Sequence, residues 1–171
     1  GRFFGPVMFV WFSMLLILGL KEIINFPVVF KALNTYYAYN LLANYPEGFW
    51  LLGAVFLCTT GAEALYSDLG HCGRNNIRFS WAFVKLALLA NYFGQGAWLL
   101  NHVGKTLGET KPFFAIMPDW FLLTGIIIAT SAAIVASQAL ISGTFTLINE
   151  GMRLDFLPKG RIEYPTDLRG Q

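Results

Sequence analysis

Residues 120–149 run for 30 positions without an Asp, Glu, Lys or Arg, and residues 3–20 do so for 18. A helix needs about 20 apolar residues to cross the hydrocarbon core of a bilayer. The longer run therefore reaches across with residues to spare. Two further stretches share this character. Residues 49–69 are interrupted only by Glu63 and Asp68, and residues 79–100 only by Lys85, which lies near enough to one end to snorkel to the headgroups. The pattern predicts an all-α membrane protein with four transmembrane helices, at 3–20, 49–69, 79–100 and 120–145, joined by an outer loop at 21–48. The first span does not resemble a signal peptide, since Pro6 sits near its start and no small-residue cleavage site follows it.

Composition excludes the competing classes. Only 13% of the residues are charged, against about 25% in soluble domains, so a water-soluble globule of this size could not coat its surface. High hydrophobicity rules out disorder. A net charge of +2 with scattered Lys and Arg argues against nucleic acid as a partner. Cys58 and Cys72 form no disulfide framework.

With four spans, one side of the membrane receives Arg2, Arg74, Arg78, Arg153, Lys159, Arg161 and Arg169, and the other Lys21, Lys31, Lys105 and Lys111. The excess places the amino end, the 74–78 connection and the 150–171 loop in the cytoplasm. The outer loop is rich in tyrosine (Tyr36, Tyr37, Tyr39, Tyr45), and a helix started by Pro27 is expected to lie at the headgroup level there. The chain opens on Gly1 and is expected to be a piece of a longer protein.

The second span carries the chemistry. A carboxylate such as Glu63 inside a span costs about 2.5–3.5 kcal/mol on insertion scales and persists where it meets a polar cavity or a partner. Gly61 loosens the helix just before it, and Thr59 and Thr60 offer hydroxyls. Thr60 and Glu63 are three apart and share a helical face. Hydroxyl, carboxylate and freed carbonyl oxygens are the ligands a hard cation takes. The structural alternative is that Glu63 pairs with Lys85 and fixes helix packing.

The stretch Thr60-Gly61-Ala62-Glu63-Ala64-Leu65-Tyr66-Ser67-Asp68-Leu69-Gly70-His71 resembles the T-G-x-E-A-L-Y-A-D-M-G-H motif of the KUP/HAK/KT potassium uptake permeases. Four more blocks match in the family's order. They are Gly5-Pro6-Val7-Met8 with Trp11-Phe12, Ala32-Leu33-Asn34, Asn91-Tyr92-Phe93-Gly94-Gln95-Gly96-Ala97, and Ala136-Ser137-Gln138-Ala139 with Ile141-Ser142-Gly143. Ser67, Leu69, Cys72 and Thr35 depart from the family's usual Ala, Met, Phe and Pro, and none of them touches the T-G-x-E core.

The resemblance implies that the four spans belong to a roughly twelve-span, inverted-repeat transporter of the amino-acid/polyamine/organocation type. In such a protein they would be the last span of the first repeat and the first three of the second. It implies potassium uptake across the plasma membrane, coupled to protons, with Thr60 and Glu63 as potassium ligands, Gly61 as the helix break and Glu63 as the candidate coupling group. The transported potassium ion and proton stand in place of any cofactor. The family's first-span D-x-G-T-S-P-x-Y motif does not occur in this sequence, so the chain alone is expected to be inactive. Expected partners are membrane lipid, the remaining spans of the transporter and a second copy in a homodimer. A non-transporting helical scaffold and an oligomeric cation pore are the alternatives.

Asp68 and His71 are candidates for an inner gate, with capping or an arginine ion pair as the structural alternative. Gln95 is expected to hold helices together. The stripe Ala132, Ala136, Ala139 and Gly143 is expected to admit a neighbouring helix closely. An enzyme is not expected: there is no G-x-S-x-G elbow, P-loop, dinucleotide fingerprint, H-E-x-x-H or C-x-x-C.

Overall fold

A computed structural model describes residues 3–45, 47–59, 74–104, 106, 108, 110–158 and 160. Among them the chain is helical, without strands. Helix α1 spans Phe4–Asn25, and at 1.5 Å per residue its 22 residues extend about 33 Å, enough to cross a bilayer. It ends where Pro27 disfavours helical geometry at the residue before it, and Phe26 leaves the helical region at φ −139° and ψ 74°. A 3-10 helix, Pro27–Leu33, follows. Asn34 then caps α2 (Thr35–Asn44), its side chain accepting the Tyr36 N–H at 3.0 Å. Helix α3 spans Gly48–Thr59, α4 Arg74–Asn101, α5 Pro112–Ala115 and α6 Asp119–Arg153.

Two of the described helices, α1 and α6, are both long and apolar enough to span a membrane. Helix α4 is long enough at 28 residues, but Lys85, Asn91 and Gln95 dilute its apolar character. The predicted span at 49–69 is described only as far as Thr59. Helix limits also differ from the predicted ones. Helix α1 runs on through Lys21 and Glu22 to Asn25, inside the stretch assigned to the outer loop, and α6 runs past 145 to Arg153, into the assigned cytoplasmic loop. A charged residue bounds the apolar core of a span; it does not stop the helix, and backbone bonding continues into the headgroup layer. The segment assigned to the outer loop is itself helical over most of its length.

Helices α1 and α4 form the main packed pair. Phe9 stacks on Phe83 with ring centroids 5.4 Å apart, and farther along both helices Gly19 meets Ala90, Asn91 and Gly94. Sequence number rises in the same direction along both, so the pair is parallel. The 3-10 helix folds back against α4, with Val29 beside Gly96.

The connection after α4 turns inward instead of passing over the outside. Gly104 and Gly108 have φ of 86° and 52°, the left-handed region where glycine is unstrained. Beyond them Ile116 and Met117 are buried against Met14, Leu15 and Leu18 of α1, and Phe113 meets Trp11 at 5.7 Å. Met117 also fills the space over Gly125 of α6. Ile116→Ala is therefore expected to destabilise the protein by about 2–5 kcal/mol, seen as a lower Tm in detergent. An unchanged Tm would mean that this segment does not pack in solution.

Side chains on α6 suit a hydrocarbon surrounding. The Thr130, Ser131 and Thr144 hydroxyls each donate to the carbonyl four residues back at 2.8 Å, and Thr146 does so at 3.0 Å. Hydroxyls on an exposed helix in water have no need to turn inward; in hydrocarbon they must. Large apolar groups such as Trp120, Leu123, Ile134, Leu140 and Phe145 stand exposed beside them.

Candidate functional site

Thr60, Gly61, Glu63, Asp68 and His71 all lie outside the described residues, as does Cys72. Helix α3 delivers the chain as far as Thr59, immediately before this cluster. What is described is the helix pair on either side of it in sequence, and there the polar chemistry centres on α4.

On α4, Ala87, Ala90, Asn91, Gly94 and Ala97 are buried, at spacings that keep them on one side of the helix. Gly19 of α1 crosses that side so closely that a Cβ on it would lie 2.3 Å from the Ala90 carbonyl oxygen and 2.7 Å from the Asn91 nitrogen. A Cβ on Gly94 would lie 2.6 Å from the Gly19 Cα. Backbone touches backbone, which only a pair of glycines allows, and such contact replaces the hydrophobic drive that is absent between helices in lipid.

Asn91 is 6% exposed, and its Oδ1 accepts no hydrogen bond from the described residues. A buried amide oxygen left unpaired costs about 1–3 kcal/mol, and such groups concentrate where function requires them. As an acceptor only, it can serve a hydrogen-bond donor or a hard cation. Asn91→Leu removes the unpaired oxygen at similar size, so Tm is expected to rise by the equivalent of about 1 kcal/mol or more. A fall in Tm would show that the oxygen has a partner in the membrane.

Gln95, expected to bridge helices, is half-buried one position beyond Gly94. Ser137 and Gln138 of α6 are exposed. The α6 stripe is divided: Ala132 and Gly143 are buried, whereas Ala136 and Ala139 are exposed. The α6 residues packed on the core, Phe121, Leu122 and Ile128, lie within its first ten positions, before the small-residue stripe begins. His102 closes α4 with its ring stacked on Trp98 at 4.2 Å and Nδ1 2.8 Å from the Trp98 carbonyl oxygen. No group of three or more His, Cys, Asp or Glu suited to a metal occurs among the described residues.

Sequence inspection missed the Gly19–Gly94 crossing and the burial of Asn91. The signal was available, because Ala87, Ala90, Gly94 and Ala97 repeat at three, four and three, the same kind of small-residue spacing noted on α6.

Apolar spans, exposed apolar surface and inward-bonded hydroxyls define an integral membrane protein built of helices. Comparison with known proteins makes this specific: residues 1–171 match the family described as K+ potassium transporter integral membrane domain, and the chain belongs to that family. It is 62% identical over 176 residues to the probable potassium transport system protein Kup of Flavobacterium johnsoniae, covering 100% of this chain and 27% of that protein. It is 55% identical over 174 residues to the probable potassium transport system protein Kup 1 of Lactococcus lactis subsp. lactis, covering 100% of this chain and 26% of that protein. The chain thus spans about a quarter of the length of the curated relatives it matches. No solved structure matches it.

Proposed function

We propose that this chain supplies the cation-handling spans of a secondary active potassium uptake transporter of the plasma membrane, coupled to protons. Thr60 and Glu63 bind the potassium ion at the break made by Gly61, Glu63 carries the coupling proton, and Asp68 with His71 forms the inner gate. The carrying observation is the T-G-x-E stretch in a chain that belongs to a potassium transporter family. The parallel course of α1 and α4 supports it. Two parallel spanning helices need an odd number of crossings between them, and residues 49–69 offer one, with Glu63 inside it. A carboxylate at that depth is retained where it meets an ion or a proton.

The full transporter has about twelve spans in an inverted repeat, four of them here, at 3–20, 49–69, 79–100 and 120–145, with 150–171 on the cytoplasmic side. The remaining spans complete the cation site, so the chain by itself does not transport; it assembles with those spans, with lipid and in a homodimer. The test is rubidium-tracer uptake into vesicles holding a transporter that contains this sequence. Uptake is expected to accelerate with acid outside and to stop when the pH gradient is collapsed. Uptake indifferent to the gradient contradicts proton coupling and favours an oligomeric pore, and no uptake at all contradicts the potassium assignment.

A further inference from the structure

On the side of α4 turned away from α1, Arg78, Trp81 and Lys85 fall on one stripe, three and four residues apart. Arg78 and Lys85 are exposed, and neither pairs with a carboxylate among the described residues. The Lys85 ammonium lies 5.3 Å from the centre of the Trp81 ring, so the side chain bends back one turn toward the amino end of the helix. That is the posture of a lysine reaching from hydrocarbon to the headgroups. Asn101, the end of α4, lies 20 positions beyond Trp81, or about 30 Å, the thickness of the hydrocarbon core. Trp81 therefore stands where an interfacial tryptophan is expected. Above it Leu89 and Tyr92 continue the same stripe, 55% and 60% exposed.

We propose that this stripe binds an anionic phospholipid, with the headgroup phosphate between the Arg78 guanidinium and the Lys85 ammonium and an acyl chain along Leu89 and Tyr92. Charge complementarity selects this occupant. Two cations at headgroup depth, without a carboxylate partner among the described residues, attract a phosphate that carries net negative charge, and a zwitterionic headgroup satisfies them less well. Arg78 grips phosphate oxygens through its planar fork, and Lys85 adds a point charge. The inference rests on α4 crossing the membrane, as proposed above.

The experiment counts phosphatidylglycerol and phosphatidylcholine retained by the purified protein in native mass spectrometry, after extraction from vesicles holding equal amounts of both. Phosphatidylglycerol is expected to dominate, and Arg78→Gln with Lys85→Gln to reduce that preference by about tenfold or more. Lys111→Gln, an exposed cation outside the stripe, is expected to leave it unchanged. Should the double variant fail to fold, Arg78→Lys with Lys85→Arg is expected to keep the preference, and rising salt to erode it in the unaltered protein. Equal retention of the two lipids, or equal loss in Lys111→Gln, overturns the proposal. So does rescue of a Lys85→Gln defect by Glu63→Gln, which would identify a span carboxylate as the true partner. Failure of the span assignment shows separately, as Arg78→Cys and Asn101→Cys labelled by a membrane-impermeant thiol reagent from the same side of the membrane.

Discussion

Gly94→Ala is expected to lower stability by about 2 kcal/mol, and Gly94→Leu by more. The added Cβ would sit 2.6 Å from the Gly19 Cα and 2.7 Å from its oxygen, where ordinary contact begins at 3.4 Å. Both colliding groups are backbone, so no side chain can swing aside; α1 and α4 must separate by about 1 Å or tilt. Separation weakens the contacts of Ile23, Val29, Ala90 and Ala97, which form a buried cluster. Alanine recovers up to about 1 kcal/mol in helix propensity, which does not offset a loss spread along two helices. Gly53→Ala provides the control: nothing lies within 4 Å of its Cβ position, so propensity alone acts there and Tm is expected to hold or rise. Thermal unfolding in detergent reads all three variants. A Gly94→Ala protein as stable as the unaltered one would mean that the α1–α4 crossing is absent.

Glu63→Gln is expected to reduce rubidium uptake at least about a hundredfold in a transporter containing this chain, because breaking a buried charge pair costs about 3–5 kcal/mol. The substitution keeps the size and an amide oxygen and removes only the charge and the titratable proton. It therefore strikes both proposed duties of Glu63, holding the cation and carrying the proton. Thr60→Ala removes one neutral oxygen and is expected to weaken potassium binding by about tenfold, with the pH dependence kept. If both variants transport normally, the T-G-x-E stretch is a packing element.

Sequence alone disclosed the membrane class, because a 30-residue charge-free run has no other economical solution than a spanning helix. The same rule misjudged helix ends. Lys21 and Glu150 terminate apolar runs, yet α1 and α6 pass through both, since a helix leaving the hydrocarbon loses its apolar pattern but not its hydrogen bonds. It also missed the return of residues 112–117 to the core. Pro112, Lys111 and the flanking glycines look like an outer connection, and only tertiary packing against Met14, Leu15 and Leu18 buries Ile116. The role of Asn91 was hidden for a related reason. An asparagine in a span can face lipid, a pore or a neighbour, and the crossing of Gly19 decides among them. The proposed ion site was legible through a carboxylate within a span and through a motif of consecutive residues, 60–71, which lie outside the described residues.

Growth of a bacterial strain lacking its own potassium uptake systems, on medium poor in potassium, tests the central claim most directly. A transporter containing this chain is expected to restore growth, and the same protein carrying Glu63→Gln is expected to leave the strain dependent on added potassium, with equal protein found in the membrane. Growth restored equally by both would contradict the assignment of Glu63 to the cation path, and growth restored by neither would contradict potassium uptake itself.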